Sequence, residues 1–255
     1  MVTRLYMKIQ AGRPSIGLWI TIPNPEIVEI LSNLEFDWFV FDLEHSPITI
    51  KDLEIMLMAM KGSDITPIAR VPWNDPVYIK YVLDLGVDGV IIPLIRDSED
   101  IKKALSYIKY PPEGTRGVGP RRCVRYGLDN VVKYYYEWNK RVLLIAQIET
   151  REAINNLDDI ASIEGLTGVF IGPNDLSASL GIFRDFSNPL YRETIRKILN
   201  TALEKNKLAG IMAQSIEDAR DKLSMGFNFV SLTSDYRLLI EGARLFIEGV
   251  KDLAQ

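Results

Sequence analysis
Histidine is almost absent from this chain: His45 is the one imidazole in 255 residues. Cysteine is as scarce, with Cys123 alone. One thiol cannot close a disulfide within the chain, and one histidine with one cysteine cannot build a Cys/His zinc site. Cys123 therefore reads as an ordinary thiol. No apolar run reaches the ~18 residues of a membrane span. The first residues, Met-Val-Thr-Arg-Leu-Tyr-Met-Lys, lack the apolar core of a signal peptide. A cytoplasmic protein with no membrane partner is expected. Three nucleotide and nucleophile signatures are also missing: the Gly-x-x-x-x-Gly-Lys-[Ser/Thr] loop, the Gly-x-Gly-x-x-Gly turn after a first strand, and the Gly-x-Ser-x-Gly elbow. There is no excess of positive charge. The net charge of −4 argues against a nucleic-acid partner and against a polybasic membrane anchor.

What remains is an ordinary globular composition, 47% hydrophobic and 25% charged, at a length that suits a single barrel of ~250 residues. Short β-branched runs recur at 15–21, 37–43, 65–71, 88–95, 142–149, 167–172, 207–213 and 227–233, each bounded by Gly, Pro, Asp or Asn. Between them, helical spacing predicts helices near 25–34, 49–61, 74–85, 98–109, 189–205, 215–225 and 235–252. In the second of these, Ile50, Leu53, Met56, Leu57 and Met60 form one stripe. Eight strands alternating with helices predict a (β/α)8 TIM barrel, with an open doubly wound sheet as the alternative. We expect one domain over 1–255, with an insertion at about 110–141 that has no strand and a helical run over 129–139. Its glycines in 114–119, with Arg116, Arg121, Arg122 and Arg125 nearby, make either an anion cradle or a tight loop with solvated arginines.

The polar residues of such a barrel gather where its strands end. Trp19 and Thr21 end the first strand; Asp42, Glu44 and His45 end the second; Arg70 ends the third. Gln147 and Glu149 end the fifth, the sixth runs into Asn174 and Asp175, and the eighth ends in Ser231, Thr233 and Asp235. No strand ends in lysine, which disfavours Schiff-base chemistry. By the period of two, Leu143, Ile145, Gln147 and Glu149 share one face, as do Asp42 with Glu44 and Ile68 with Arg70. Arg70 needs an anion beside it, either neighbouring acids or a substrate carboxylate. Glu149 and Asp175, on adjacent strands, either hold a hard divalent ion through oxygen ligands or pair with Arg70 and other bases. His45 is either the base of an active site or part of a charged surface loop.

The segments Phe-Asp-Trp-Phe-Val-Phe-Asp-Leu-Glu-His-Ser-Pro (36–47), Ala-Arg-Val-Pro (69–72), Tyr-Pro-Pro-Glu-Gly-Thr-Arg-Gly-Val-Gly (110–119), Ile-Ala-Gln-Ile-Glu-Thr (145–150) and Val-Phe-Ile-Gly-Pro-Asn-Asp-Leu-Ser (169–177) together resemble the HpcH/HpaI aldolase family. Its members are class II, metal-dependent pyruvate aldolases. The resemblance implies that Glu149 and Asp175 bind a divalent cation (Mg2+, Mn2+ or Co2+). It implies that Gln147 and the backbone at Asn174 hold pyruvate; relatives commonly carry Ser or Ala where this chain has Asn174. Arg70 then steadies the pyruvate enolate and His45 is the catalytic base, with Asp42 as its partner and Asp84 raising its basicity. Trp19 and Met212 shape the acceptor pocket. The family fold is a modified barrel whose C-terminal helix is exchanged between subunits, usually in a homohexamer.

The expected activity is reversible cleavage of a 4-hydroxy-2-oxo acid to pyruvate and an aldehyde, both small-molecule partners. Two alternatives stay open: a related lyase or decarboxylase acting on a 2-oxo acid such as oxaloacetate, and a barrel that binds metal and carboxylates without turnover.

Overall fold
In the computed structural model, which describes residues 3–253, eight parallel strands close into a barrel in sequence order. They are β1 (Ser15–Ile20), β2 (Trp38–Asp42), β3 (Thr66–Arg70), β4 (Gly89–Ile92), β5 (Leu143–Ile148), β6 (Gly168–Ile171), β7 (Leu208–Met212) and β8 (Phe229–Ser234). A short helix, α1 (Arg4–Gln10), precedes the barrel. Then α2 (Pro25–Ser32), α3 (Ile50–Ala59), α4 (Pro76–Leu85) and α5 (Ser98–Ile108) follow the first four strands in turn. A second helix, α6 (Val131–Arg141), precedes β5; α7 (Arg151–Asn155) and α8 (Leu157–Ser162) lead to β6. Next come α9 (Pro173–Ser179) and α10 (Pro189–Glu204) before β7, α11 (Ile216–Met225) before β8, and α12 (Asp235–Val250).

Every strand expected from the sequence is present, and the closed order excludes the open sheet. Four short helices, α1 and α7–α9, and the 3-10 segment Arg122–Gly127 were not anticipated. Pieces of five to seven residues span two turns at most, too few for a 3.6-residue period to emerge. The longer helices carry start signals that the sequence spells out: Asn24 and Asp75 cap α2 and α4 ahead of Pro25 and Pro76, and Thr49 with Asp52 forms a capping box on α3.

The barrel interior is filled, not hollow. Trp38, Val40, Ile68, Ile91, Leu143, Ile145, Phe170 and Phe229 form one inward cluster. The outward faces of the strands pack on the helices in a second, larger cluster. Trp38 stacks on Phe229 at 4.0 Å between ring centroids and lies flat against Gly17, where a Cβ would come within 2.0 Å of the indole. Beneath this layer, α1 closes the floor: Leu5 is fully buried in the inward cluster and the Tyr6 hydroxyl donates to the Arg141 carbonyl.

The 110–141 segment folds over the outside. Arg116 is buried with its guanidinium between the rings of Tyr110 (4.6 Å) and Trp138 (4.8 Å), and its Nη2 donates to Asp84 Oδ1 at 2.6 Å. It is neither solvated nor part of an anion cradle. The opposite holds for α12. Only Asp235 of this helix is buried, while Leu239, Leu245, Phe246, Ile247 and Val250 are exposed. No described helix is long and apolar enough to cross a membrane.

Candidate active site
The carboxyl ends of the strands surround a cavity of roughly 530 Å³. It brings together Trp19, Asp42, His45, Arg70, Gln147, Asn174, Asp175 and Met212. Glu149 does not line it directly but accepts a hydrogen bond from Gln147 Nε2, which does. These positions share a mouth because the register places them there: Asp42 and Arg70 are direct cross-strand partners, and Gln147 lies opposite Phe170.

On one side of the mouth, Asp42 and Arg70 form a fork. Asp42 Oδ1 accepts from Arg70 Nε at 2.9 Å and Oδ2 accepts from Nη2 at 2.7 Å. Asp42 Oδ1 also accepts from the backbone amides of Glu44 (3.0 Å) and His45 (3.2 Å), which shapes the turn that presents the histidine. The third guanidinium nitrogen, Nη1, is 3.0 Å from Glu44 Oε2, and the guanidinium lies 4.4 Å from the Trp19 ring. Neighbouring acids therefore pair Arg70. Burial pushes the Glu44 carboxyl up to about 7; Arg70 opposes that rise, and the nearby Glu149, Asp42 and Asp175 add to it.

The histidine stands apart from this network. Its side chain is 64% exposed, and the carboxylate facing it is Glu44, at 3.8 Å from Nε2. Here the structure corrects one expectation and finds the second acid engaged elsewhere in the chain. Asp42 is occupied by Arg70 and two backbone amides, so it is not the partner of the imidazole. Asp84 sits on the last turn of α4. That helix runs from the end of β3 back to the start of β4, so its last turn lies at the opposite end of the barrel from His45. Within one chain Asp84 is bound to Arg116 and does not line the mouth.

On the other side, β5 and β6 present the paired acids. Glu149 is 2% exposed. Its Oε1 accepts from the Leu94 amide at 2.8 Å and its Oε2 from Gln147 Nε2. Burial raises the Glu149 carboxyl above its usual range, the two hydrogen bonds oppose this, and the charge on Asp175 adds to it. Gly172 makes room: a Cβ there would come within 2.6 Å of Glu149 Oε2. Gln147 Oε1 is buried with no hydrogen-bond partner. Two carboxylates beside an orphaned carbonyl oxygen make an all-oxygen donor set, which fits a hard divalent cation. Among the described residues no three His, Cys, Asp or Glu side chains gather into a self-sufficient metal cluster. Oxygens of substrate or water must complete any coordination shell.

Sequence reasoning passed over Ser46, Phe170, Tyr236 and Arg237, which also line the cavity. Phe170 points inward from mid-strand, and the period of two would have found it. Arg237 lies in the first turn of α12, beyond the end of the last strand. Asp235, noted at the end of β8, is buried and serves the frame. It accepts from the Thr21 amide (2.8 Å), the Thr21 hydroxyl (2.6 Å) and the Ile22 amide (2.8 Å), tying β8 to β1.

The model of the HpcH/HpaI aldolase/citrate lyase family matches residues 15–242. A 5-keto-4-deoxy-D-glucarate aldolase from Escherichia coli O157:H7 (strain EC4115 / EHEC) is 40% identical over 228 residues, covering 89% of this chain and 88% of that one. Among solved structures, an HpcH/HpaI aldolase/citrate lyase family protein from Burkholderia cenocepacia J2315 superposes with a TM-score of 0.92 at 27% identity, over 97% of this chain and 98% of that one. An HpcH/HpaI aldolase from Desulfitobacterium hafniense DCB-2 gives 0.91 at 26% identity, over 98% and 97%. With the family model running from β1 into α12 and the barrel superposing over nearly its whole length, the chain belongs to the HpcH/HpaI aldolase/citrate lyase family.

Proposed function
We propose that the protein is a divalent-metal-dependent aldolase of the cytoplasm that reversibly cleaves a 4-hydroxy-2-oxo acid into pyruvate and an aldehyde. One observation carries this reading: Asp175 and the orphaned Gln147 oxygen, with Glu149 bonded to Gln147, share a single mouth with the held guanidinium of Arg70. Glu149 and Asp175 hold the ion, with Mg2+, Mn2+ and Co2+ as candidates. When bound, the ion supplies Lewis acidity at the 2-oxo group. Arg70, fixed on three sides by Asp42, Glu44 and Trp19, offsets the negative charge that collects on the enolate oxygen without having to reorganise. Gln147 and the backbone at Asn174 orient the pyruvyl end. His45, exposed and free to turn, moves the proton of the C4 hydroxyl directly or through a water.

The test is a screen of pyruvate with a panel of aldehydes, with and without EDTA, alongside deuterium exchange of the pyruvate methyl protons. Aldol products that vanish on chelation support the proposal. Carbon dioxide release from oxaloacetate with no aldol product would favour a decarboxylase instead. His45→Ala separates the roles further. We expect cleavage to fall by roughly 10²–10⁴-fold while the dissociation constant for Mn2+ stays within about twofold. Loss of ion binding in this variant would overturn the assignment.

For the acceptor we propose a carboxylate-bearing aldehyde released from a keto-deoxy sugar acid, as the name of the E. coli relative suggests. Trp19 and Met212 shape its pocket, and Arg237 has no carboxylate within ion-pair distance among the described residues. Arg237→Ala should raise KM for such an aldehyde at least about tenfold, the ~1.5–3 kcal/mol of a charge-assisted hydrogen bond, and leave methyl-proton exchange unchanged. Equal effects on a neutral aldehyde would remove Arg237 from carboxylate recognition.

We also propose that α12 packs on a second copy of the chain, in a homo-oligomer that the family resemblance puts at six subunits. The exposed Leu245, Phe246 and Ile247 support this. Light scattering should find an oligomer, and changing all three residues to Lys should give a smaller species.

A further inference from the structure
A second cavity of about 440 Å³ adjoins the mouth on its outer side, between α10 and α11. Met212 lines both cavities. The volume falls in the range of small-molecule sites, and the lining has the usual mixture of apolar floor and charged rim. Phe186, Tyr191 and Met225 contribute apolar surface, and Phe186 and Tyr191 are packed at 5.2 Å between rings. Arg192 and Arg196 stand on the rim, one helical turn apart on the same face of α10.

The charges in this cavity are unevenly matched. Lys222 is 8% exposed and already has two partners, Asp218 Oδ1 at 2.9 Å and Asp221 Oδ2 at 3.2 Å. Asp218 Oδ2 accepts from the Gln214 amide at 2.9 Å. The acids of the cavity are thus committed to Lys222 and to the start of α11. Among the described residues, neither Arg192 nor Arg196 has a side-chain hydrogen bond or a carboxylate within 4.0 Å. Two like charges one turn apart repel mildly, and an anion between them turns that repulsion into attraction. Guanidinium groups at this spacing present paired donors suited to planar carboxylate or to phosphate.

We propose that this cavity is a binding site for a small organic anion. Arg192 and Arg196 grip a carboxylate or phosphate end, and the body of the ligand rests on Tyr191, Phe186 and Met225. The site is separate from the barrel mouth and stands whether or not the aldolase reading does. Its ligand touches Met212, so occupancy bears on the acceptor side of the mouth.

The experiment is calorimetric titration of the full-length, metal-loaded protein with inorganic phosphate and, separately, with succinate, at constant ionic strength. Three proteins are compared: wild type, Arg192→Ala/Arg196→Ala, and Arg70→Ala. Both arginines on α10 are exposed, so the double variant should fold and keep its methyl-proton exchange rate. The expected result is saturable binding that weakens at least tenfold in the double variant and persists in Arg70→Ala. Phosphate binding without succinate binding would identify a phosphate-bearing ligand, and the converse a carboxylate. Binding that survives in the double variant, binding lost in Arg70→Ala, or no saturable binding of either probe would overturn the proposal.

Discussion

Replacing Glu149 by Gln is expected to lower both pyruvate methyl-proton exchange and aldol cleavage by roughly a thousandfold, about 4 kcal/mol of barrier. The barrel should stay folded. Glu149 accepts from the Leu94 amide and from Gln147 Nε2. A glutamine at 149 keeps the first bond through its carbonyl oxygen. Its new amide nitrogen then meets the Gln147 side chain, which can turn its own orphaned oxygen to accept. The hydrogen-bond count survives, and removing a buried negative charge from beside Asp175 relieves repulsion. Stability should therefore change little while a charged donor to the ion is lost. Calorimetric titration with Mn2+ and a thermal melt of the same sample separate these effects. A variant that retains wild-type exchange under thorough chelation control would remove the metal from the mechanism.

The second large effect concerns Asp42. Changing it to Ala strips the fork from Arg70 Nε and Nη2 and unties the turn at Glu44 and His45. Both partners of this ion pair are buried, and breaking such a pair leaves an uncompensated charge at a cost of about 3–5 kcal/mol. For a domain of this size that lowers Tm by roughly 6–20 °C. Glu44 still holds Nη1, which should keep the loss at the lower end. The guanidinium is no longer aimed, so exchange and cleavage should also fall by roughly 10²–10³-fold, the usual worth of one preorganised oxyanion donor. Asp42→Asn separates the two consequences. Its carbonyl oxygen keeps the backbone amides, so it should recover more of the melting temperature than of the rate. Equal recovery of both would mean that Asp42 serves the turn alone.

The barrel was legible because its strands are buried on both faces, and short apolar runs with punctuated ends signal that burial directly. The inward row Leu143, Ile145, Gln147 follows from the period of two, and the exit of Arg70 beside Asp42 follows from register. Partner choice was less legible. Asp42 and Glu44 lie on one face two residues apart, and nothing in the order of residues says which carboxylate takes the guanidinium fork and which faces the imidazole. The answer depends on Asp42 closing the turn with its own backbone bonds. Asp84 came from the family resemblance alone; a helix after a strand carries its end back to the far side of the barrel, where Asp84 pairs with Arg116 within this chain. Arg237 escaped because α12 enters the cavity by its first turn, after the last strand residue.

The floor closed by α1, with Leu5 under the Trp38–Phe229 stack, leaves the barrel a cul-de-sac. Reactants and products share a single door. Gln147 and Glu149 are buried, whereas Met212 and Arg237 are partly exposed and stand nearer the opening. On the proposed roles, pyruvate occupies the blind end with the aldehyde between it and the solvent. The kinetics of synthesis should then be ordered, with pyruvate binding first. In cleavage the aldehyde leaves before pyruvate, so pyruvate should be a competitive inhibitor of the 4-hydroxy-2-oxo acid and the aldehyde a noncompetitive one.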